Sequence, residues 1–373
     1  MAESPAGRRP GPLRIGNVPV EPPLILAPMA GVTDSVYRGI MARHGAGLVT
    51  TEMVSVQGIV RNQRPTWELC GLDDLPGVPL AVQLFGYDAN AFAEAARRVE
   101  AVGASIVDIN AGCPVKKIVK QGAGACLLKT PEQLLRIVED VRRAVRIPLT
   151  VKMRLGWDAS SVNIVDLARC IESAGADAVS IHGRTAVQYY TGRADWSWIG
   201  RVKEVLGIPV IGNGDVSSPS LADALLAETS CDGVMIGRAT RGNPWLLSAV
   251  AAAWGYCGAG YFSPGWADFH RTAREHAEAF RRVKPHVPGH FRKLLMWYSK
   301  RCPEGAPLRM RLAETNSHDE MLAIFDGWVE MVAGKGCPFP PLKVSGVERD
   351  GGGGEADPPL PIRSAEAERD GSR

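Results

Sequence analysis

The stretch SIVDINAGCP, Ser105 to Pro114, joins a short apolar run to a loop that carries a cysteine. Its first six residues, with Ile106, Val107 and Ile109, form one of the short Val- and Ile-rich runs that are typical of a buried strand in a parallel sheet. The run ends in Asn110, and Gly112 and Pro114 then enclose Cys113 in a loop whose backbone these two residues shape. The stretch therefore predicts a buried strand that delivers an amide and a thiol to one edge of a sheet.

The same unit recurs along the chain. Runs rich in Val, Ile and Leu alternate with segments, such as 89–102 and 131–145, that carry apolar residues at helical spacing. Thr130 and Pro131 suit the N-cap and first turn of the second helix. Because strand and helix alternate about eight times, the pattern predicts an α/β fold of the (β/α)8 TIM barrel type. The other runs are PLILAP (23–28), GLVTTEM (47–53), PLAVQLFG (79–86), PLTVKMR (148–154), DAVSIHG (177–183), IPVIGNG (208–214) and DGVMIGR (232–238).

Composition excludes several classes of protein. With 373 residues, 45% hydrophobic and 22% charged, the chain is expected to be a soluble globular protein. Its eight cysteines are scattered without a C-x-x-C pair, which argues against a disulfide scaffold and a structural zinc site, so no metal is expected. No apolar stretch has the form of a signal peptide or a membrane span, so a cytoplasmic location without membrane contact is expected.

A small C-terminal helical domain is predicted to follow the barrel. We assign residues 15–250 to the barrel and 251–334 to the helical domain, with helices over 266–283, 289–302 and 318–333. Residues 1–14 and the Gly-, Pro- and Glu-rich segment 335–373 are expected to be disordered extensions. Between Arg271 and Arg311 there are 11 Lys and Arg against 3 Asp and Glu, with aromatic residues interleaved. That pattern suits nucleic-acid binding, and a solvated helix face above core aromatics explains it equally well.

Polar or reactive residues end the predicted strands. In a TIM barrel the active site lies at the carboxyl ends of the strands. The loops after the last two strands, IGNGDV (211–216) and IGRATRGNP (236–244), contain the glycines and the arginine that suit a phosphate group. The residues at the strand ends are Met29, Glu52, Gln83, Asn110, Lys152, His182, Asn213 and Arg238.

Three of these residues favour a flavin over a sugar phosphate as the ligand. Lys152 and His182 can stabilise negative charge on a flat, electron-rich ring. The amide of Gln83 offers both a donor and an acceptor to the edge of a heterocycle. Taken singly, the lysine could belong to an ion pair and the histidine to the core.

Five motifs together resemble the tRNA-dihydrouridine synthase family, and most closely its bacterial B-type branch. The resemblance covers roughly residues 15–330, with the motifs in the family's order. They are LAPMAGVTDSVYR (26–38), NAGCP (110–114), VKMRLGWD (151–158), IHGRT (181–185) and GNGDV (212–216).

The resemblance implies an enzyme that reduces the C5=C6 bond of selected uridines in tRNA, with FMN as its cofactor and NADPH as its reductant. It implies that Cys113 is the proton donor, that Asn110 helps to position the uracil, and that the protein is a monomer. The residues implied to bind the cofactor are Pro28, Met29, Ala30, Gln83, Lys152, His182, Asn213, Gly214, Asp215, Gly237 and Arg238.

A polyanionic substrate would explain the cations near these motifs. Because nearby cations lower the pKa of a thiol and weaken it as an acid, Lys116 and Lys117 are expected to point away from Cys113, toward RNA. The family's Arg-Lys-His before a Trp-Tyr pair is here Arg-Lys-Leu, with Leu294 in place of the histidine. The residues expected to contact the substrate are Asn110, Lys116, Lys117, Arg154, Arg184, Arg292 and Lys293.

Two other functions fit parts of the pattern. An FMN-dependent dehydrogenase of a free pyrimidine, of the dihydroorotate type, would share the barrel, the flavin and the loop cysteine, but would not need the basic helical domain. A non-catalytic tRNA-binding chaperone would need the basic surface, but would tolerate the loss of Cys113.

Overall fold

The computed structural model describes residues 10–71, 77–256, 264–300 and 302–339. No helix in this part of the chain has the length and apolar character that a membrane crossing requires.

A closed parallel barrel forms the larger part of the molecule and confirms the predicted fold. Its strands follow the order β3-β4-β6-β7-β8-β9-β10-β11, after which β11 pairs with β3, while the short β5 pairs with β6 at the rim. All eight apolar runs predicted from the sequence are strands of this barrel. The strands are β1 (Leu13–Ile15), β2 (Val18–Val20), β3 (Leu24–Leu26), β4 (Leu48–Thr50), β5 (Val54–Ser55), β6 (Leu80–Phe85), β7 (Ile106–Ala111), β8 (Leu149–Arg154), β9 (Ala178–His182), β10 (Val210–Asn213) and β11 (Gly233–Ile236).

Helices connect successive barrel strands and then continue into the helical domain, which we define as α11–α14. Thr130 is the N-cap residue of α6, but its hydroxyl finds no hydrogen-bond partner among the described residues. The helices are α1 (Ser35–Arg43), α2 (Val56–Val60), α3 (Arg64–Glu68), α4 (Ala89–Ala101), α5 (Lys116–Val119), α6 (Pro131–Ala144), α7 (Ile164–Ser173), α8 (Ser197–Lys203), α9 (Pro219–Thr229), α10 (Trp245–Ala253), α11 (Trp266–Val283), α12 (Pro288–Ser299), α13 (Gly305–Ala313) and α14 (His318–Gly334).

A β-hairpin formed by β1 and β2 closes one end of the barrel. Its buried side chains Leu13, Ile15 and Val20 pack against residues that begin barrel strands, such as Leu48 and Ile106. The expectation that the extension reaches residue 14 is therefore wrong for its described part, because burial of these apolar side chains holds the segment. The hairpin seals the end of the barrel opposite the carboxyl ends of the strands.

An aromatic interface joins the helical domain to the barrel. Trp245 of α10 stacks on Phe269 of α11 at 6.0 Å between ring centroids. The predicted boundary at residue 250 falls inside α10, which completes the barrel's alternation of strand and helix. The expected disorder from residue 335 is also wrong for the described part, since the Phe339 ring lies 5.3 Å from that of Trp266, whose indole N–H donates to the Cys337 carbonyl at 2.8 Å. Residues 340–373 lie outside the described ranges.

Candidate active site

A cavity of about 890 Å³ opens at the carboxyl ends of the barrel strands and extends to the helical domain. Its lining includes all of the predicted cofactor residues, together with Ala27 and side chains from α12. One strand-end residue lies elsewhere, because the buried Glu52 turns toward the first barrel loop and accepts a hydrogen bond from the Gly31 amide. The predicted residues that line the cavity are Pro28, Met29, Ala30, Gln83, Asn110, Cys113, Lys152, Arg154, His182, Asn213, Gly214, Asp215, Gly237, Arg238 and Lys293.

A buried hydrogen-bond chain runs beneath the cavity from Asp108 to the cysteine loop. The Gln83 side-chain N–H donates to Asp108 at 2.6 Å, and the Asn110 side-chain N–H donates to the Gln83 amide oxygen at 2.8 Å. Thr150 donates its hydroxyl proton to the other Asp108 oxygen at 2.5 Å. Burial raises the pKa of Asp108 to about 6, against the opposing effect of these hydrogen bonds. The chain fixes the orientation of both amides.

Asp108 and Thr150 were not among the residues predicted from the sequence. Both side chains belong to strand interiors, where a polar residue carries no periodic signal. The register pairs Gln83 with Asp108 directly across β6 and β7. An acidic residue in the middle of an otherwise apolar strand, beside a predicted ligand on the neighbouring strand, is the signal that could have identified Asp108.

The loop of Cys113 is held from two sides. The Asn110 side-chain oxygen accepts from the Cys113 amide at 3.0 Å, and the Cys113 carbonyl accepts from the Ala125 amide at 2.9 Å. Gly124 adopts φ +63°, and a Cβ there would come within 2.6 Å of the Cys113 carbonyl oxygen. The backbone at position 124 therefore lies so close to the Cys113 carbonyl that this position requires glycine.

Burial raises the pKa of the Cys113 thiol, although Arg154 and Lys152 act in the opposite direction. Lys116 and Lys117 are exposed on α5 and lie outside the cavity lining that the described residues form. The direction in which the two lysines point relative to the thiol stays a prediction. The thiol thus stays protonated at neutral pH.

Lys152 and His182 present nitrogen atoms of different charge to the same cavity. Lys152 donates to the Asn213 amide oxygen at 3.2 Å, and Asn213 in turn donates to the Met235 carbonyl at 2.7 Å. Burial lowers the pKa of Lys152 to about 8, while Asp108 opposes the shift. Burial and the surrounding cations lower the pKa of His182 well below its usual value, so its imidazole is neutral at pH 7.

The two loops after β10 and β11 form a cradle rich in glycine and arginine. Gly214 adopts φ +136°, and a Cβ there would come within 2.6 Å of the Ala194 Cβ. Asp215 takes both guanidinium nitrogens of Arg184 at 2.8 and 2.7 Å, while Arg238 lies farther away at 3.5 Å. Arg238 therefore lines the cavity, whereas Arg184 is held in the wall.

Arg184 is too deeply buried to contact an RNA phosphate, whereas the predicted RNA contact of the half-buried Arg292 stays a prediction. Arg184 is 1% exposed, and it also donates to the carbonyls of Thr191 and Gly192. Its charge is matched by Asp215, which lines the cavity, so Arg184 supports the wall from behind. Arg292 donates to the Thr315 carbonyl at 2.7 Å and so secures the loop between α13 and α14. The acceptors Asp215 and Thr315 are distant along the chain from Arg184 and Arg292, so the sequence alone did not indicate these two contacts.

Tyr190 was also missed, although it covers the cations of the cavity. The guanidinium carbon of Arg238 lies 4.0 Å from the centroid of its ring, and that of Arg154 lies 5.6 Å away. Its ring also lies 6.2 Å from that of His182. Arg154 itself donates to the Gly112 and Thr185 carbonyls, at 3.0 and 2.8 Å, so it braces the cysteine loop.

Comparisons with known proteins agree on one family. The family model described as dihydrouridine synthase matches residues 25–331. A probable tRNA-dihydrouridine synthase of Rhodobacter capsulatus is 39% identical over 84% of this chain and 96% of its own length. A tRNA-dihydrouridine synthase B of Pseudomonas putida is 39% identical over 80% of this chain and 89% of its own length.

Solved structures show the fold at lower identity. A 2-naphthoyl-CoA reductase in complex with 2-naphthoyl-CoA superposes with a TM-score of 0.55 at 15% identity, over 66% of this chain and 52% of that one. At this identity the likeness shows the barrel fold alone.

Proposed function

Since the chain belongs to the dihydrouridine synthase family and is therefore an oxidoreductase that acts on CH–CH bonds, we propose that it reduces the C5=C6 bond of specific uridines in tRNA, with FMN as its bound flavin and NADPH as its reductant. The observation that carries this proposal is the cavity itself, because the Cys113 thiol, the Lys152 ammonium and the Arg238 cradle all line it. A monomeric state and a cytoplasmic location complete the proposal.

The donor set of the cavity fits FMN. The Arg238 guanidinium and the backbone around Gly214 and Gly237 suit the dianionic phosphate. The Gln83 amide, whose orientation Asp108 fixes, offers its second N–H to the edge of the isoalloxazine. Lys152 and His182 would lie at the pyrimidine side of the ring, with Pro28, Met29 and Ala30 against its face. When bound, reduced flavin supplies the hydride that the C5=C6 bond accepts.

Cys113 supplies the proton that completes the reduction at C5. A general acid must carry its proton when the substrate arrives, and the burial that raises the pKa of Cys113 keeps the thiol protonated at neutral pH. Asn110 holds the loop through the Cys113 amide, and Arg154 holds it through the Gly112 carbonyl. These two ties keep the sulfur facing the base while the reaction proceeds.

A uridine in folded tRNA must leave its stack to enter such a cavity. The lining of the cavity includes three further cations that would receive the flanking phosphates, namely Arg241, Lys293 and Lys300. The guanidinium carbon of Arg241 lies 5.8 Å from the centroid of a Trp297 ring. Cations from the barrel and from the helical domain thus meet at one opening, which a free pyrimidine would not require.

Replacing Lys293 by glutamine is expected to weaken tRNA binding and to leave flavin retention unchanged. Because one phosphate contact is lost, the negative slope of log affinity against log salt should become shallower by about one. Filter binding of tRNA between low and moderate salt measures the slope. Arg143→Gln removes an equal charge from the exposed face of α6 and serves as the matched control. Equal affinities and slopes for the two variants would exclude Lys293 from the RNA surface.

An anaerobic flavin titration tests the whole proposal. The purified protein is reduced with NADPH and then mixed with tRNA that lacks dihydrouridine, while the flavin absorbance is followed. We expect the oxidised spectrum to return on addition of tRNA and not on addition of free uracil or uridine. Reoxidation by a free pyrimidine alone would favour the dehydrogenase of the dihydroorotate type. A protein that binds tRNA but cannot be loaded with FMN would favour the chaperone.

A further inference from the structure

A buried hydroxyl chain links helix α1 to the turn that follows β11. The Tyr37 hydroxyl lies 2.8 Å from the Thr240 hydroxyl, and Thr240 donates to the Gly237 carbonyl at 2.8 Å. Because Thr240 has one hydroxyl proton and gives it to that carbonyl, Tyr37 is the donor to Thr240. The chain therefore has a single direction, from Tyr37 to Gly237.

This chain of hydroxyl groups holds the turn that carries Arg238. The Thr240 amide also donates to the Gly237 carbonyl, at 2.9 Å, so two donors from one residue hold that oxygen. The peptide group is planar, and fixing the Gly237 carbonyl therefore fixes the direction of the Arg238 amide N–H. Tyr37 and Thr240 are 1% and 0% exposed, so water does not substitute for either hydroxyl.

The helical domain holds the Tyr37 ring in place. The ring of His276 in α11 lies 5.5 Å from that of Tyr37, and the His276 Nδ1 lies 3.1 Å from the Tyr298 hydroxyl. Tyr298 in turn lines the cavity. The phenol thus lies between the helical domain and the turn that carries Arg238.

We propose that Tyr37, acting through Thr240, is a positioning residue that orients the Gly237–Arg238 peptide for the phosphate of the flavin nucleotide. The proposal rests on the proposed function, because it takes FMN as the ligand of this cradle. It predicts that loss of either hydroxyl weakens only the part of flavin binding that depends on the phosphate. The isoalloxazine and ribityl parts of the ligand are held by other residues, so riboflavin, which lacks the phosphate, should not sense the change.

The test compares FMN with riboflavin. Apoprotein is titrated with each, and the dissociation constants are read from flavin fluorescence. Tyr37→Phe keeps the ring and removes the hydroxyl, and we expect FMN to bind about three- to tenfold more weakly while riboflavin binding is unchanged. Thr240→Val should show the same selective loss, and Thr240→Ser, which restores the hydroxyl, should recover FMN affinity. Tyr256→Phe removes another phenol hydroxyl of the barrel domain, which donates to the Pro10 carbonyl, and is the control.

The outcomes are distinct. If the Tyr37→Phe and Thr240→Val losses are selective for FMN and their double variant loses no more than either one, a single chain is established. Equal weakening of FMN and riboflavin, or no weakening of either, would overturn the positioning role while leaving the cofactor assignment intact. Wild-type protein that binds neither flavin would overturn the cofactor assignment and the positioning role together.

Discussion

Replacing Cys113 by alanine is expected to lower the rate of uridine reduction by roughly 10²- to 10⁴-fold, the usual contribution of a general acid. The flavin should still be reduced by NADPH at the wild-type rate, because the thiol donates to the substrate and not to the cofactor. Single-turnover reoxidation of the reduced flavin by tRNA isolates the affected step. Cys113→Ser should be similarly slow, since an alcohol is a far weaker acid than a thiol.

Cys126→Ala provides the matched control for this variant. Cys126 is also a half-buried free cysteine of the segment after β7, but it lies outside the cavity lining of the described residues. Its substitution should leave reoxidation unchanged. If Cys113→Ala reduced uridine at a rate close to the wild type, the proton would have to come from another group in the cavity, and the proposed role of the thiol would be excluded.

The pH dependence separates the thiol from its cationic neighbour. As the pH rises, Lys152, with a pKa of about 8, loses its charge before the buried thiol of raised pKa loses its proton. We therefore expect an alkaline fall in rate near pH 8 that belongs to Lys152. It should persist in the residual activity of Cys113→Ala, whereas a fall caused by the thiol would disappear.

The barrel was predictable from the sequence because a parallel strand that is buried on both faces is rich in apolar residues. Each run, such as 178–182 or 233–236, is bounded by polar or glycine residues, and the carboxyl ends of the strands form the rim of the cavity. Cys113 and Arg238 were found this way. The hairpin at Leu13–Val20 was not, because glycine and proline interrupt two strands that are each three residues long.

The destinations of long charged side chains were not predictable. Arg184 and Arg238 are similar in sequence, since each comes directly after a strand and a glycine. Asp215, which adopts φ +58° after Gly214, accepts hydrogen bonds from Arg184 and so holds Arg184 in the wall. Arg238 lies farther from Asp215 and lines the cavity. That choice depends on a tertiary contact between two loops, and single-sequence patterns contain no record of it.

The largest effect among the residues that do not touch the ligand is expected at Asp108. Its carboxylate accepts hydrogen bonds from Gln83 and Thr150, and its pKa is about 6. As the pH falls through about 6, the carboxyl gains a proton and can no longer accept from both donors, so the Gln83 amide loses its fixed orientation. We therefore expect an acidic fall in the rate near pH 6.

Asp108→Asn should abolish this acidic limb, because an amide does not titrate, and should slow turnover at pH 7 by about 10- to 100-fold. It should also move the alkaline limb below pH 8. The negative charge of Asp108 supports the Lys152 ammonium, and its removal lowers the pKa of Lys152 further. The pH profile of kcat for flavin reoxidation by tRNA measures both shifts in one experiment.

Thr150→Val supplies the opposite change in the same network. The Thr150 hydroxyl stabilises the ionised form of Asp108, so its loss raises the pKa of Asp108 and should move the acidic limb above pH 6. An acidic limb that stays in place in both variants would belong to a different group. A limb that vanishes in Asp108→Asn and moves upward in Thr150→Val would identify the carboxylate beneath Gln83 as the group that titrates, since both changes act on the same proton.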